Sequence, residues 1–187
     1  MFLSTEEQVL PWEIRIKIAI GIAQGLAFIH SIKNSSLFQE LRMHNIMLDE
    51  QYNAKLLYLE SHIQYMEAET RWMGDIIYTP PEPEGCEEIK SDVYTFGVIL
   101  LELLTGSKDT IRNAKRSTSS HDWISPLLSD AHKIGEIVDP RLGNNYPVNA
   151  VTQMGTLIRR CTKWDMKKRP LMQQVLDTLN YIAEIMD

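Results

Sequence analysis

The stretch from Ser91 to Leu104, SDVYTFGVILLELL, limits the possible folds more than any other part of the chain. Val93, Phe96, Val98, Ile99, Leu100, Leu101, Leu103 and Leu104 leave no polar face on a helix of this sequence. A helix that is apolar all round is stable only when buried, in a protein core or in a membrane. Its fourteen residues fall short of a bilayer span, which needs about 20. The segment therefore predicts a central buried helix that other elements must surround. Ser91 and Asp92 supply a capping start and Gly106 follows the end, as helix termini favour. The 187 residues suffice for one domain built around it.

The surrounding elements are legible from spacing. Pro11-Trp12-Glu13 opens a helix, with proline suited to the start and an acid to the first turn. Ile14, Ile18, Ile22 and Leu26 recur every four residues beside Ala19, Ala23 and Ala27, one broad stripe that reads as core. This helix is predicted to end near His30 to Asn34. Ile46-Met47-Leu48 and Lys55-Leu56-Leu57 flank a polar connection and read as a small hairpin. Ser61 to Glu88, with Gly74, Pro80, Pro81, Pro83 and Gly85, reads as a long loop, a kind usually tied to function. Gly106 to Ser120 reads as a polar loop. Short helices are predicted at Trp123–Leu128 and Ile134–Val138, longer ones at Asn149–Cys161 and Pro170–Met186. Trp123 and Trp164 read as core anchors.

Charge and cysteine content exclude several classes. A formal charge of −6 gives no general attraction for nucleic acid or anionic membranes, leaving room only for local exceptions. Cys86 and Cys161 are far apart and form no C-x-x-C, so a reducing compartment is expected. The five histidines show no metal-ligand spacing. The first residues lack the features of a signal peptide, and no glycine follows Met1 for acylation. The uncharged stretch Ile18–Ile32 is too short to span a bilayer.

Ser91 to Gly106 also resembles the central buried helix of protein kinases, particularly plant receptor-like kinases. Leu10-Pro11-Trp12-Glu13 to Gly25-Leu26-Ala27-Phe28-Ile29-His30 is similar to the helix before their catalytic loop. Ile137-Val138-Asp139-Pro140-Arg141-Leu142 with Tyr146-Pro147 resembles plant receptor-like cytoplasmic kinases. Cys161-Thr162-Lys163-Trp164-Asp165 followed by Arg169-Pro170-Leu171-Met172 resembles the end of the catalytic domain. The matches run in order over almost the whole chain. The resemblance implies a mainly α fold of the α+β kinase class: a carboxy-terminal lobe, helical with a small β-hairpin. It divides the chain into the helix before the catalytic loop (11–33), a catalytic-loop equivalent (38–48), an activation-segment equivalent (58–82), the central helix (91–105) and carboxy-terminal helices (149–186).

Phosphoryl transfer depends on positioned metal ions, a base near the substrate hydroxyl and clamps on the phosphates. The kinase catalytic loop reads H-R-D-L-x-x-x-N. Here the stretch is Phe38-Gln39-Glu40-Leu41-Arg42-Met43-His44-Asn45. The resemblance puts Glu40 at the catalytic aspartate and Asn45 at a magnesium ligand. Glutamate is one methylene longer, and about 1 Å of misplacement can cost ~10²-fold in rate. The D-F-G position reads Tyr58-Leu59-Glu60. Tyr58 thus stands where the family has its metal-gripping aspartate, and a phenol of pKa near 10 is no carboxylate at neutral pH. Asp75 replaces the threonine expected after Gly74. Between Glu67 and Glu88 seven acids face one base, Arg71. No G-x-G-x-x-G and no V-A-I-K occurs, so the lobe that covers ATP in the family is expected to be absent.

The other family-like residues have structural roles by this reading. Asp92 favours its helix start and fixes the catalytic-loop backbone, Glu82 and Arg169 form an internal ion pair, and Phe38 and Leu59 belong to an apolar column ending at Asp92. Asn45 is a vestigial metal position and Tyr58 a lost one. The apolar run Ile46-Met47-Leu48 is expected to lie partly exposed. The chain is therefore expected to be a kinase-fold pseudokinase or scaffold fragment and not an enzyme, acting through other signalling proteins or kinases. The alternative is a divergent or truncated ATP-dependent Ser/Thr kinase. No cofactor is expected, although the family implies ATP and Mg²⁺. The expected location is cytoplasmic, with neither nucleic-acid binding nor direct membrane insertion.

Overall fold

A computed structural model describes residues 9–32, 41, 46–56, 76–82, 89–118, 120 and 122–186. Among the described residues there are six helices and one hairpin: α1 (Trp12–Ser31), β1 (Ile46–Leu48), β2 (Ala54–Leu56), α2 (Ile89–Thr105), α3 (Lys108–Arg116), α4 (Ala131–Ile137), α5 (Val148–Cys161) and α6 (Met172–Ala183). Single 3-10 turns stand at Ile76–Tyr78, Ser125–Leu128, Pro140–Leu142 and Met166–Lys168.

As its composition demands, α2 is buried along almost its whole length, from Ser91 to Thr105. It packs mainly against α5, and also meets α1, α3 and the 3-10 turn at Ile76–Tyr78. Gly97 permits the approach of α5: a Cβ there would lie 2.8 Å from the Cβ of Cys161 and 2.7 Å from the Cγ2 of Thr162. Burial pushes the Cys161 thiol up to about 12, so it is an inert core group. The helix begins at Ile89, two residues ahead of the predicted capping start, so Asp92 sits in its first turn.

The stripe on α1 is core: Ile16, Ile18, Ile22 and Leu26 are buried, with Ala19 and Ala23, while Ile14 is half-buried. By length and hydropathy alone α1 passes for a membrane span, yet this face is covered by the protein's own α6 and hairpin. β2 lies along α1, with Ala54 against Gly21 and Leu56 against Gly25. The hairpin is antiparallel, pairing Ile46 with Leu56 and Leu48 with Ala54. Its turn is organised by Asp49, whose carboxylate accepts from the backbone N–H of Gln51 and Asn53. Tyr52 takes a positive φ of 60° there, which few non-glycine residues adopt. In β1 only Ile46 is buried; Met47 is 53% exposed and Leu48 half-buried.

Two expectations are overturned. Lys108–Arg116, read as loop, is helical. Only Ile111 of α3 is buried, so its sequence carries no apolar stripe. Capping and cation–π contacts hold it instead. The Ser107 hydroxyl accepts from the Thr110 N–H, Lys108 lies over Tyr78 at 5.4 Å, and Lys115 lies over Trp123 at 5.8 Å. Trp164, read as a core anchor, is half in solvent, whereas Trp123 is buried.

Candidate functional site

The candidate site lies where α1, α2 and the loop at Leu41 meet. The Asp92 carboxylate accepts from the Leu41 backbone N–H at 2.8 Å and meets His30 Nε2 at 2.9 Å. One side chain in the first turn of α2 thereby ties the end of α1 to the chain beside Glu40. His30, treated as ordinary in the sequence, joins this junction. No sequence signal marked it, since a lone histidine at a helix end has no spacing partner.

A second cluster forms around Arg169, which is buried at 2% exposure. Its Nη1 donates to Glu82 and, at 2.8 Å, to the Lys90 carbonyl. Its Nε donates to the Lys163 carbonyl at 2.7 Å and its Nη2 to that of Trp164 at 3.2 Å. The guanidinium also lies 5.0 Å from the Tyr94 ring centre. Each nitrogen of this cation thus donates to a fixed acceptor, the condition for burying it. Nearby, the Tyr78 hydroxyl donates to Glu102, and Thr95 Oγ1 donates to the Tyr78 carbonyl at 3.0 Å.

A third cluster was not foreseen. Arg15 is buried and donates to Asp139 at 2.5 Å, to the Leu103 carbonyl at 2.9 Å and to the Leu10 carbonyl at 2.8 Å. Asp139 also accepts from Arg141 Nε at 2.9 Å and from the Arg141 N–H at 3.0 Å. Burial alone would raise the Asp139 carboxyl. The bonds from Arg141 and Arg15 outweigh it and bring the carboxyl down to about 2. The two ends of this network are 124 positions apart, so local patterning could not announce it. Gly106, at φ +61, passes so close to Asp139 that a Cβ would clash with its carboxylate.

Glu40, Asn45, Tyr58, Phe38 and Leu59 lie outside the described residues. Among the described residues no group of three or more His, Cys, Asp or Glu is placed to hold a metal ion. By the resemblance, the family's magnesium positions carry an amide, Asn45, and a phenol, Tyr58. Hard divalent cations are held by carboxylates beside neutral oxygens, and neither an amide nor a phenol of pKa near 10 is a carboxylate at neutral pH. A set so placed would not fit a magnesium–nucleotide complex. Nor do the described clusters pair a nucleophile with a base; they orient backbone and bind elements together.

The family model described as "Protein tyrosine and serine/threonine kinase" matches residues 1–179. The chain is 60% identical over 97% of its length to Inactive serine/threonine-protein kinase BKN1 of Arabidopsis thaliana, and 58% identical over 97% to BKN2 of the same plant, also described as inactive. It spans 56% of the length of each. Its structure is similar to the pseudokinase domain of BIR2, an immune regulator of the RLK/Pelle family, with a TM-score of 0.72 and 28% identity over 92% of this chain and 53% of that one. The sequence match, the fold and the Asp92 and Arg169 junctions agree: the chain belongs to the protein tyrosine and serine/threonine kinase family.

Proposed function

We propose that this chain is a kinase-fold lobe that transfers no phosphate and works as a binding scaffold for other signalling proteins or kinases in the cytoplasm. The observation that carries the reading is Tyr58 at the metal-gripping position, where a neutral phenol replaces a carboxylate. Gln39-Glu40 in the catalytic loop points the same way, and the two inactive Arabidopsis relatives support it. Glu40 and Asn45 are remnants in this reading, while Asp92, Glu82 and Arg169 keep architectural roles. ATP and Mg²⁺ belong to the family and are not expected to bind here.

Thermal unfolding with and without Mg²⁺–ATP tests this. A ligand at 100 times its Kd stabilises by about 2.7 kcal/mol, a shift of several degrees. The expected result is no shift. A shift that disappears in Asn45→Ala overturns the reading.

One observation favours a second reading. Glu40 keeps a carboxylate at the base position and Asn45 keeps the second metal position, as a divergent kinase working within a longer protein would need. Phosphate transfer by the longer protein, abolished by Glu40→Gln, would establish that alternative.

A further inference from the structure

The strongest unexplained feature is the outer face of the Arg169 cluster. The Arg169 guanidinium gathers the carbonyls of Lys90, Lys163 and Trp164, and Lys90 in turn donates to the Pro170 carbonyl at 3.0 Å. The start of α2, the turn after α5 and the start of α6 are thereby fixed side by side. These three segments carry three partly exposed apolar side chains: Trp164 at 51% exposure, Leu171 at 54% and Ile89 at 36%. Lys167 and Lys168 are exposed and Lys163 half-buried beside them. Asp165 caps the turn by accepting from the Lys167 N–H at 3.0 Å and lies 3.8 Å from Lys168. It is the only acid between Arg159 and Leu171.

We propose that this face, with Trp164 at its centre and Lys163, Lys167 and Lys168 around it, is a peripheral docking surface for a membrane bearing anionic lipids. Composition selects the occupant. Protein–protein interfaces are enriched in tryptophan and arginine but depleted in lysine, whereas tryptophan with lysine is the mixture of the membrane–water interface. Lysine stems lie along apolar surface and keep their charges at headgroup level. Such a chain lies on the bilayer and does not span it. The net charge of −6 does not forbid this, because salt screens beyond about 10 Å at 0.1 M and the local sign decides. The proposal is independent of whether the fold binds nucleotide.

Co-sedimentation of the 187-residue chain with phosphatidylcholine vesicles, with and without about 30% phosphatidylserine, tests it at about 0.1 M salt. Binding is expected only with phosphatidylserine, and it should fade as salt rises. Replacing Lys163, Lys167 and Lys168 together with Gln should lower partitioning about 10²-fold, from roughly fivefold per lysine. Trp164→Ala should weaken it with the charges intact. Glu87 and Glu88 precede Ile89 in the chain, and Glu87→Gln with Glu88→Gln should strengthen it. Unchanged cooperative unfolding of each variant controls for folding. Absence of wild-type binding, or equal binding by the lysine variant, overturns the proposal. So does a lysine variant that loses polyglutamate binding but keeps vesicle binding, which would assign the face to acidic protein.

Discussion

The lower body of the lobe and the cleft end of it are built to different standards. In the lower body Arg169 and Arg15 are both buried, and each of their side-chain nitrogens donates to a carboxylate or a carbonyl. At the positions that the resemblance matches to the catalytic loop and D-F-G, the chain has Gln39-Glu40 and Tyr58 where phosphate chemistry wants arginine, aspartate and aspartate. Among the described residues, the Asp92 junction lies next to those positions in the chain, through Leu41 and His30. The difference teaches that standing as a kinase lobe and acting as a kinase have separable requirements. A buried cation without its acceptors costs folding energy, whereas a phenol in place of a metal carboxylate costs only chemistry.

The largest test of that contrast is Arg169→Ala. It leaves Glu82 buried without its cation and releases three carbonyls. Breaking a buried pair from one side costs about 3–5 kcal/mol. Urea unfolding should show that loss, or no folded protein at all. A loss below about 1 kcal/mol would mean the cluster is decoration. The next is Asp92→Ala, which removes the acceptor of the buried Leu41 N–H and the partner of His30. An unsatisfied buried donor costs about 1–3 kcal/mol, so the midpoint should fall less than for Arg169→Ala.

Asp139 gives a pH-dependent version of the same question. Its folded carboxyl sits near 2 against an ordinary 3.8. A depressed carboxyl contributes stability that is present above the unfolded value and is lost as pH falls through the folded one. The contribution is of order 1–2 kcal/mol. The stability gap between wild type and Asp139→Asn should hold at neutral pH and close between about pH 4 and pH 2. A gap that does not narrow between pH 4 and pH 2 would show that it does not come from a carboxyl held near 2 in the folded state.

Which parts were legible in the sequence follows from the range of the interactions. Helix α2 announced itself because its apolar residues cover every face. The stripe on α1 followed from spacing of three to four residues, and the predicted ends of α5 and α6 came within three residues of those found. Helix α3 was missed because its stability comes from Ser107 and from lysines stacked on Tyr78 and Trp123, none of which makes a periodic pattern. Trp164 was misplaced because size alone suggested a core residue, while it is the Arg169 bonds to its carbonyl that hold that turn. The Glu82–Arg169 contact was accessible only through resemblance, since 87 positions separate the two. Arg15 and Asp139 had neither a motif nor a spacing to join them.

The smallest expected effect belongs to the cleft end, and it sharpens the contrast most. Glu40→Gln keeps the size of the side chain and removes its charge. If Glu40 were a working base, it would be held by partners that respond to that charge, and the substitution would change both stability and any response to nucleotide. If it is a remnant, a substitution away from buried networks should stay within about 0.5 kcal/mol. The expected outcome is an unfolding midpoint equal to wild type in plain buffer and in Mg²⁺–ATP. Parallel curves for Glu40→Gln beside a collapsed curve for Arg169→Ala would separate the two regions in one experiment. Stabilisation of the wild type alone by Mg²⁺–ATP would return Glu40 to the chemistry and dissolve the distinction.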